Sequence, residues 1–329
     1  MKKIKLFSLS LLLIGSLSFA ESENLNVNAP KSGKTSTVTT EVETLESDES
    51  VTVKNTFSKV KLKSVKSDWQ LVWRDEFDGE ALDRTKWNYW ENNNPWNSGN
   101  YLDENGNFVD QYGFKAKHYY LRENIKIKDG NLIIELKKEE NKKVQINGVE
   151  RKILYSSGAI HTKGLFTVQE GKIEMRAAMP KGIGVWPAFW TWPENFSAAS
   201  SRPARGEIDI VEVYGDNMRK VTGTLHALKP DNTYQSFAGG DLKLRKKVDL
   251  SDFHTYAIEW NEKEIKWLFD GKVFKKVSMK KIAKKVENPF DEPHYLMINV
   301  ALMEKTGEDG DINFPTEMKV DYVRVYKKQ

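Results

Sequence analysis

The stretch Glu123-Asn124-Ile125-Lys126-Ile127-Lys128-Asp129-Gly130-Asn131-Leu132-Ile133-Ile134-Glu135-Leu136 settles the fold class. Two β-rich runs joined by Asp-Gly give the strongest short-range hairpin signal, because that pair tolerates the positive φ angles of a tight turn. The signal recurs where Glu264-Ile265-Lys266-Trp267-Leu268-Phe269 meets Asp270-Gly271 and continues as Lys272-Val273-Phe274. Further β-rich runs start at Gly171, Thr255, Tyr295 and Lys319. Many short strands with turn residues between them predict an all-β sandwich of two antiparallel sheets. A short surface helix is the reading for residues 277–286, and no internal repeat is visible.

The chain has 329 residues, enough for two domains or for one large β domain. It holds ten Trp, twelve Tyr and fifteen Phe, and no Cys. Flat aromatic rings suit the apolar C–H faces of sugars, and they equally suit a large sandwich core, so composition leaves both uses open. Without Cys the fold must hold without disulfides, even outside a cell.

Residues 1–20 read as an export signal. Lys2, Lys3 and Lys5 form a basic start, an apolar run follows, and Ser18-Phe19-Ala20 supplies small residues for cleavage. The apolar run is too short to span a bilayer as a helix, so no stable membrane insertion is expected after cleavage. An extracellular or periplasmic protein is therefore expected. Removing this segment, with three Lys and no acid, lowers the formal charge from +4 to +1. A nearly neutral chain lacks the cationic excess that binding nucleic acid requires. Residues 21–67 are rich in Ser, Thr, Glu and Lys with Phe57 as the only aromatic, and read as a disordered leader or linker. Residues 68–329 are left as the working domain, expected to act as a monomer.

Gly206-Glu207-Ile208-Asp209-Ile210-Val211-Glu212-Val213 carries the chemistry. Side chains alternate along a strand, so Glu207 and Asp209 share a face and strict parity would put Glu212 on the other. One extra residue, a β-bulge between Asp209 and Glu212, returns Glu212 to the same face. The two Glu then stand about 13 Å apart at Cα and about 5–6 Å apart at their carboxyl groups, the spacing of a retaining rather than an inverting glycosidase. Crowded carboxylates raise one another's pKa, which suits one Glu to act as acid while the other stays ionised as nucleophile. A solvated acidic face and a Ca²⁺ or Mg²⁺ site fit the same residues. The preceding run Gly184-Val185-Trp186-Pro187-Ala188-Phe189-Trp190-Thr191-Trp192-Pro193 favours sugar, with Trp186, Trp190 and Trp192 as candidate substrate contacts.

These two segments resemble glycoside hydrolase family 16, in the laminarinase-like branch with the bulged E-x-D-x-x-E motif. The resemblance continues through Leu71-Val72-Trp73-Arg74-Asp75-Glu76-Phe77, Gly223-Thr224-Leu225-His226 and Val320-Asp321-Tyr322-Val323-Arg324-Val325-Tyr326. It implies a jelly-roll sandwich with a concave substrate cleft. It also implies Glu207 as nucleophile, Asp209 as assisting residue, Glu212 as acid/base and His226 at the edge of the catalytic centre. No cofactor is required, though family members often hold a structural Ca²⁺, for which Glu76 and Asp321 sit at matching places. The implied activity is endo-hydrolysis of a β-linked polysaccharide or oligosaccharide, with β-1,3- or mixed β-1,3/1,4-glucan first. A β-galactan or host-glycan endo-β-galactosidase, a transglycosylase and a non-catalytic sugar-binding sandwich stay open. Ala159 stands where laminarinases usually carry Arg, and the segments 92–117 and 303–310 also depart from that branch. These departures predict that laminarin is a modest substrate or is overtaken by another β-linked glycan.

Overall fold

The computed structural model describes residues 68–90, 101–106, 108–109, 116–146, 148–195, 206–228, 234–284, 288–303 and 312–329. The expected signal (1–20) and leader (21–67) lie outside them. Two large sheets dominate. A seven-stranded antiparallel sheet runs, in spatial order, Tyr234–Lys243, Lys220–Leu228, Gly206–Glu212, Val185–Pro193, His294–Leu302, Ala159–His161 and Asn88–Tyr89. A ten-stranded sheet has the path Lys272–Ser278, Glu264–Phe269, His254–Trp260, Gly171–Ala178, Thr316–Lys328, Asn131–Lys138, Tyr155–Ser157 and His118–Tyr120. Trp69–Asp75 pairs with Thr316–Lys328, and Ile125–Lys128 pairs with Asn131–Lys138.

Both Asp-Gly hairpins form as the sequence implies. Asp129 and Gly130 take positive φ values of 52° and 69°, and Asp270 and Gly271 take 45° and 72°. The first hairpin starts two residues later than read, because Arg122–Asn124 forms a 3-10 turn whose Asn124 side chain bonds the Glu135 carbonyl. The expected surface helix is a short one, Met279–Ala283.

Alternation builds the core. Phe189 from the Trp-rich strand, Ile208 and Ile210 from the acidic strand, and Ile298 and Val300 from its other neighbour are all buried. They join Ile173, Met175, Ile258, Trp267, Val323 and Val325 of the opposite sheet in one apolar cluster. Burying each such side chain contributes about 1.5–3 kcal/mol, which fixes the sheets face to face without disulfides.

Two features go beyond two antiparallel sheets. Tyr155–Ser157 and His118–Tyr120 pair in parallel, which carries His118 and Tyr120 to one end of the cleft. A small third sheet joins Phe108–Val109, Tyr101–Leu102, Val149–Lys152 and Lys143–Ile146, partly within a segment read as loop.

Candidate functional site

The bulge is where the sequence places it. Against the Trp-rich strand, Trp190 faces Asp209 and Phe189 faces Val211, so Ile210 is the extra residue. Against the other neighbour, Thr224 faces Asp209 and Thr222 faces Glu212, leaving Gly223 opposite Ile210 and Val211 together. Ala188 and Trp190, two apart on one strand, therefore oppose Glu212 and Asp209. All three carboxyl side chains line one cleft of about 850 Å³.

The bulge is propped from the facing sheet. Trp267 on Glu264–Phe269 donates its indole N–H to the Asp209 carbonyl at 2.8 Å. Gly223 makes room for that ring, since a Cβ there would come within 2.3 Å of it. The sequence reading missed Trp267 because its alternation marks it only as core, which it also is.

Each carboxylate has its own donor. Trp192 donates its indole N–H to Glu207 Oε2 at 2.6 Å, and Trp186 donates to Glu212 Oε1 at 3.1 Å. Thr224 Oγ1 donates to the other Glu212 oxygen at 3.1 Å. His226, directly across from Glu207 on the next strand, places Nε2 3.1 Å from Asp209 Oδ2. Asp209 also shares a hydrogen bond with Glu207. Of the three candidate tryptophans, Trp186 is partly exposed and stacks at 5.7 Å on Tyr214. Trp192 is buried beside Glu207, and Trp190 donates to Asn299 Oδ1 at 2.7 Å.

The electrostatics differ from the sequence reading in one respect. That reading has one raised carboxyl beside an ordinary one, whereas here all three are raised. Burial, then the charge of Asp209, lifts Glu207 to about 8. Burial, then the charge of Glu212, lifts Asp209 well above the carboxylate range. Burial lifts Glu212, opposed chiefly by the Thr224 hydrogen bond. Asp209 is the deepest, 3% exposed, and burial favours its neutral form. A neutral Asp209 removes the second-largest cause of Glu207's rise, and so leaves Glu207 freer to ionise.

Glu207, Asp209 and His226 also present oxygens and nitrogen within 4.8 Å of one another, close enough to consider a cation. The surrounding chemistry fits proton traffic better, because Trp192 can only donate and its N–H already points at Glu207. Glu76 and Asp321, implied for Ca²⁺, are each engaged by a guanidinium. Arg324 forks onto both oxygens of Glu76 at 2.9 and 2.7 Å, and Arg176 pairs with Asp321. In this arrangement both carboxylates are engaged by guanidinium groups at the partly exposed surface.

The far end of the cleft is lined by Trp90, His118, Tyr120 and Asn299, none of which the sequence reading singled out. Asn299 was within sight, since it lies across from Ala159 and shares its parity with the lining residues Met297 and Ala301. Most of the divergent segments 92–117 and 303–310 lies outside the described residues.

Comparison with known proteins agrees with this geometry. The profile of Glycosyl hydrolases family 16 matches residues 114–324. The chain is 36% identical over 277 residues to glucan endo-1,3-beta-glucosidase A1 of Niallia circulans, covering 79% of this chain but 38% of that longer protein. It is 34% identical over 268 residues to a beta-glucanase of Rhodothermus marinus, covering 79% of this chain and 85% of that one. The catalytic domain of an endo-1,3-beta-glucanase (laminarinase) from Thermotoga petrophila RKU-1 is 34% identical with a TM-score of 0.65, over 80% of this chain and 99% of that one. A bulged acidic strand in a β-sandwich cleft, a profile match over most of the chain and relatives of this identity lead to one assignment: the chain belongs to Glycosyl hydrolases family 16.

Proposed function

We propose that this family 16 glycoside hydrolase is an exported, monomeric endo-β-glucanase that cuts β-1,3- or mixed-linked glucan with retention of configuration. The observation that carries the mechanism is the bulge, which brings Glu207, Asp209 and Glu212 to one cleft. The relatives' activities support glucan over galactan. Among the described residues no helix is long and apolar enough to cross a membrane.

In the first step Glu212, whose burial favours the protonated form, gives its proton to the glycosidic oxygen as the bond breaks. Glu207 attacks the anomeric carbon and forms a glycosyl ester. The Trp192 N–H and the hydrogen bond shared with Asp209 hold the Glu207 carboxyl in place for that attack. Esterification removes Glu207's charge, and Glu212, now deprotonated, takes a proton from water as the water attacks the ester. The product keeps the β configuration and both carboxyl groups return to their starting states. His226 orients Asp209 from the neighbouring strand.

The test is a polysaccharide panel incubated with the protein, with products separated by chromatography and early anomers followed by NMR. Glucan fragments appearing first as the β-anomer are expected. Early α-anomer overturns the double displacement, and cleavage of galactan with laminarin untouched overturns the glucan assignment.

A further inference from the structure

One wall of the cleft carries donors that no group among the described residues accepts. It lies on the side of the Trp-rich strand away from the acidic strand. There Trp90, Tyr120, Trp192, Tyr295 and Met297 pack around Ala159, with Trp190 against them. Ala159 anchors this wall: its backbone carbonyl accepts the Trp90 backbone N–H at 2.9 Å and its strand partner is Asn299.

Hydrogen bonds fix the polarity of this wall. Trp190 can only donate, so the Asn299 atom that receives it at 2.7 Å is the carbonyl oxygen. The Asn299 amide nitrogen then donates to the Tyr120 hydroxyl at 2.9 Å. The His118 ring lies 4.4 Å from that of Tyr120. The Leu302 N–H reaches His118 Nδ1 at 3.0 Å. A 3.4 Å approach of Nδ1 to the Leu302 carbonyl competes with it, but that carbonyl already accepts the Lys117 N–H at 2.7 Å. Nδ1 is therefore the acceptor and the ring proton sits on Nε2. Burial keeps the ring neutral, its pKa lowered to about 4.

Two N–H groups are left over. His118 Nε2 and Trp90 Nε1 are both buried, both lack a hydrogen-bond partner among the described residues, and both residues line the cleft. A buried donor without an acceptor is a standing cost to the fold. Among the described residues the lining includes no Lys or Arg, so the wall offers an anion no counter-charge. We propose that His118 and Trp90 form a donor-only subsite that recognises an acceptor oxygen on a neutral, unsulfated sugar unit, bound on the Asn299 side of the bond that is cut. This rests on the proposed glycan hydrolysis and adds a specificity-determining pair to it.

The test uses the full chain with β-1,3-gluco-oligosaccharides of increasing length. His118→Asn keeps an acceptor for the Leu302 N–H but withdraws the outer donor. His118→Gln returns an N–H at the outer position. Trp90→Phe keeps an aromatic ring and removes only the indole donor. Expected for His118→Asn and Trp90→Phe is a KM about tenfold higher on long oligosaccharides, with kcat changed less than twofold. The difference should close on oligosaccharides too short to reach the wall, and His118→Gln should recover most of it. Calorimetric binding of the same oligosaccharides in a Glu207→Gln background should show the same tenfold ratio. Unchanged KM and affinity, or equal losses at every length together with a lowered melting temperature, overturn the subsite. Cleavage of another β-glycan with gluco-oligosaccharides ignored overturns the glucan assignment, and the same variants then test the subsite on that glycan's oligosaccharides. Neither cleavage nor binding of any β-linked oligosaccharide overturns both.

Discussion

Replacing Glu207 by Gln should make the protein more stable as well as inactive, and only at the right pH. Burial and Asp209 lift this carboxyl from its ordinary 4.5 to about 8. A raised carboxyl contributes its full stability below the unfolded pKa and loses it as pH rises through the folded one. Below about pH 4.5 both states are protonated and wild type and variant should match. Between 4.5 and about 8 the unfolded carboxyl ionises freely while the folded one resists, so wild type weakens more steeply than the Gln variant, which keeps only the losses due to Asp209 and Glu212. At about 1.4 kcal/mol per pH unit the ceiling is about 5 kcal/mol. Two effects lower it. The part due to Asp209 disappears whenever Asp209 keeps its proton, and cleft water reaches the partly exposed Glu207. A gain of about 1–3 kcal/mol at pH 8.5 remains, or about 3–8 °C in melting temperature for a domain of this size. The Trp192 hydrogen bond survives, because the Gln carbonyl accepts as the carboxylate did. Thermal melts of both proteins by circular dichroism from pH 4 to 9 read the effect directly. Parallel curves across that range would refute the buried-carboxylate reasoning, whatever the variant does to turnover.

Other perturbations follow from the same geometry. Trp267→Phe keeps most of the core volume but removes the donor to the Asp209 carbonyl; it should cost about 1–3 kcal/mol in urea unfolding and lower kcat more than KM. Thr224→Val removes the hydrogen bond that holds Glu212 down, so the alkaline limb of the kcat/KM profile should move to higher pH; a shift to lower pH would reject Glu212 as the acid. Ala159→Arg restores the residue usual in laminarinases but displaces the buried packing around Trp90, so product patterns from laminarin should change and the thermal midpoint should fall. Mass spectrometry of secreted protein should find Glu21 as the first residue, and an intact Met1 in that fraction would rule out the export reading.

The parts of this molecule that obey a local period were open to reading. Asp129-Gly130 and Asp270-Gly271 declare their hairpins because only a few residue pairs suit those turns. The bulge in Glu207–Glu212 follows once the three acids are taken to share a face, since that needs one residue more than alternation supplies. What escaped was long-range. His118 acquires its position from a parallel pairing with Tyr155–Ser157, which no hairpin signal announces, and its tautomer from a strand 184 residues away. Trp192 lines the cleft as a candidate sugar contact, but its second task, donating its N–H to Glu207, is set by the fold. Glu76 and Asp321 are paired here with Arg324 and Arg176, contacts that no local pattern announces.

The bulge also ties the chemistry to the sandwich core. A bulge interrupts the ladder, and a backbone carbonyl there needs a donor from outside the sheet. Trp267 can supply one only if the two sheets keep their separation and Gly223 stays bare. The indole therefore measures the inter-sheet distance at the point where Asp209 must stand between Glu207 and Glu212. Core substitutions around Trp267 that alter volume by a methylene or two shift packed neighbours rather than leaving them untouched. Their effect on this enzyme should then appear first as a change in the pH profile of kcat, through Asp209, before it appears as a loss of fold. A core that failed to transmit such shifts would leave the three carboxyl groups positioned by their own strand alone, and the Trp267 hydrogen bond would have no catalytic consequence.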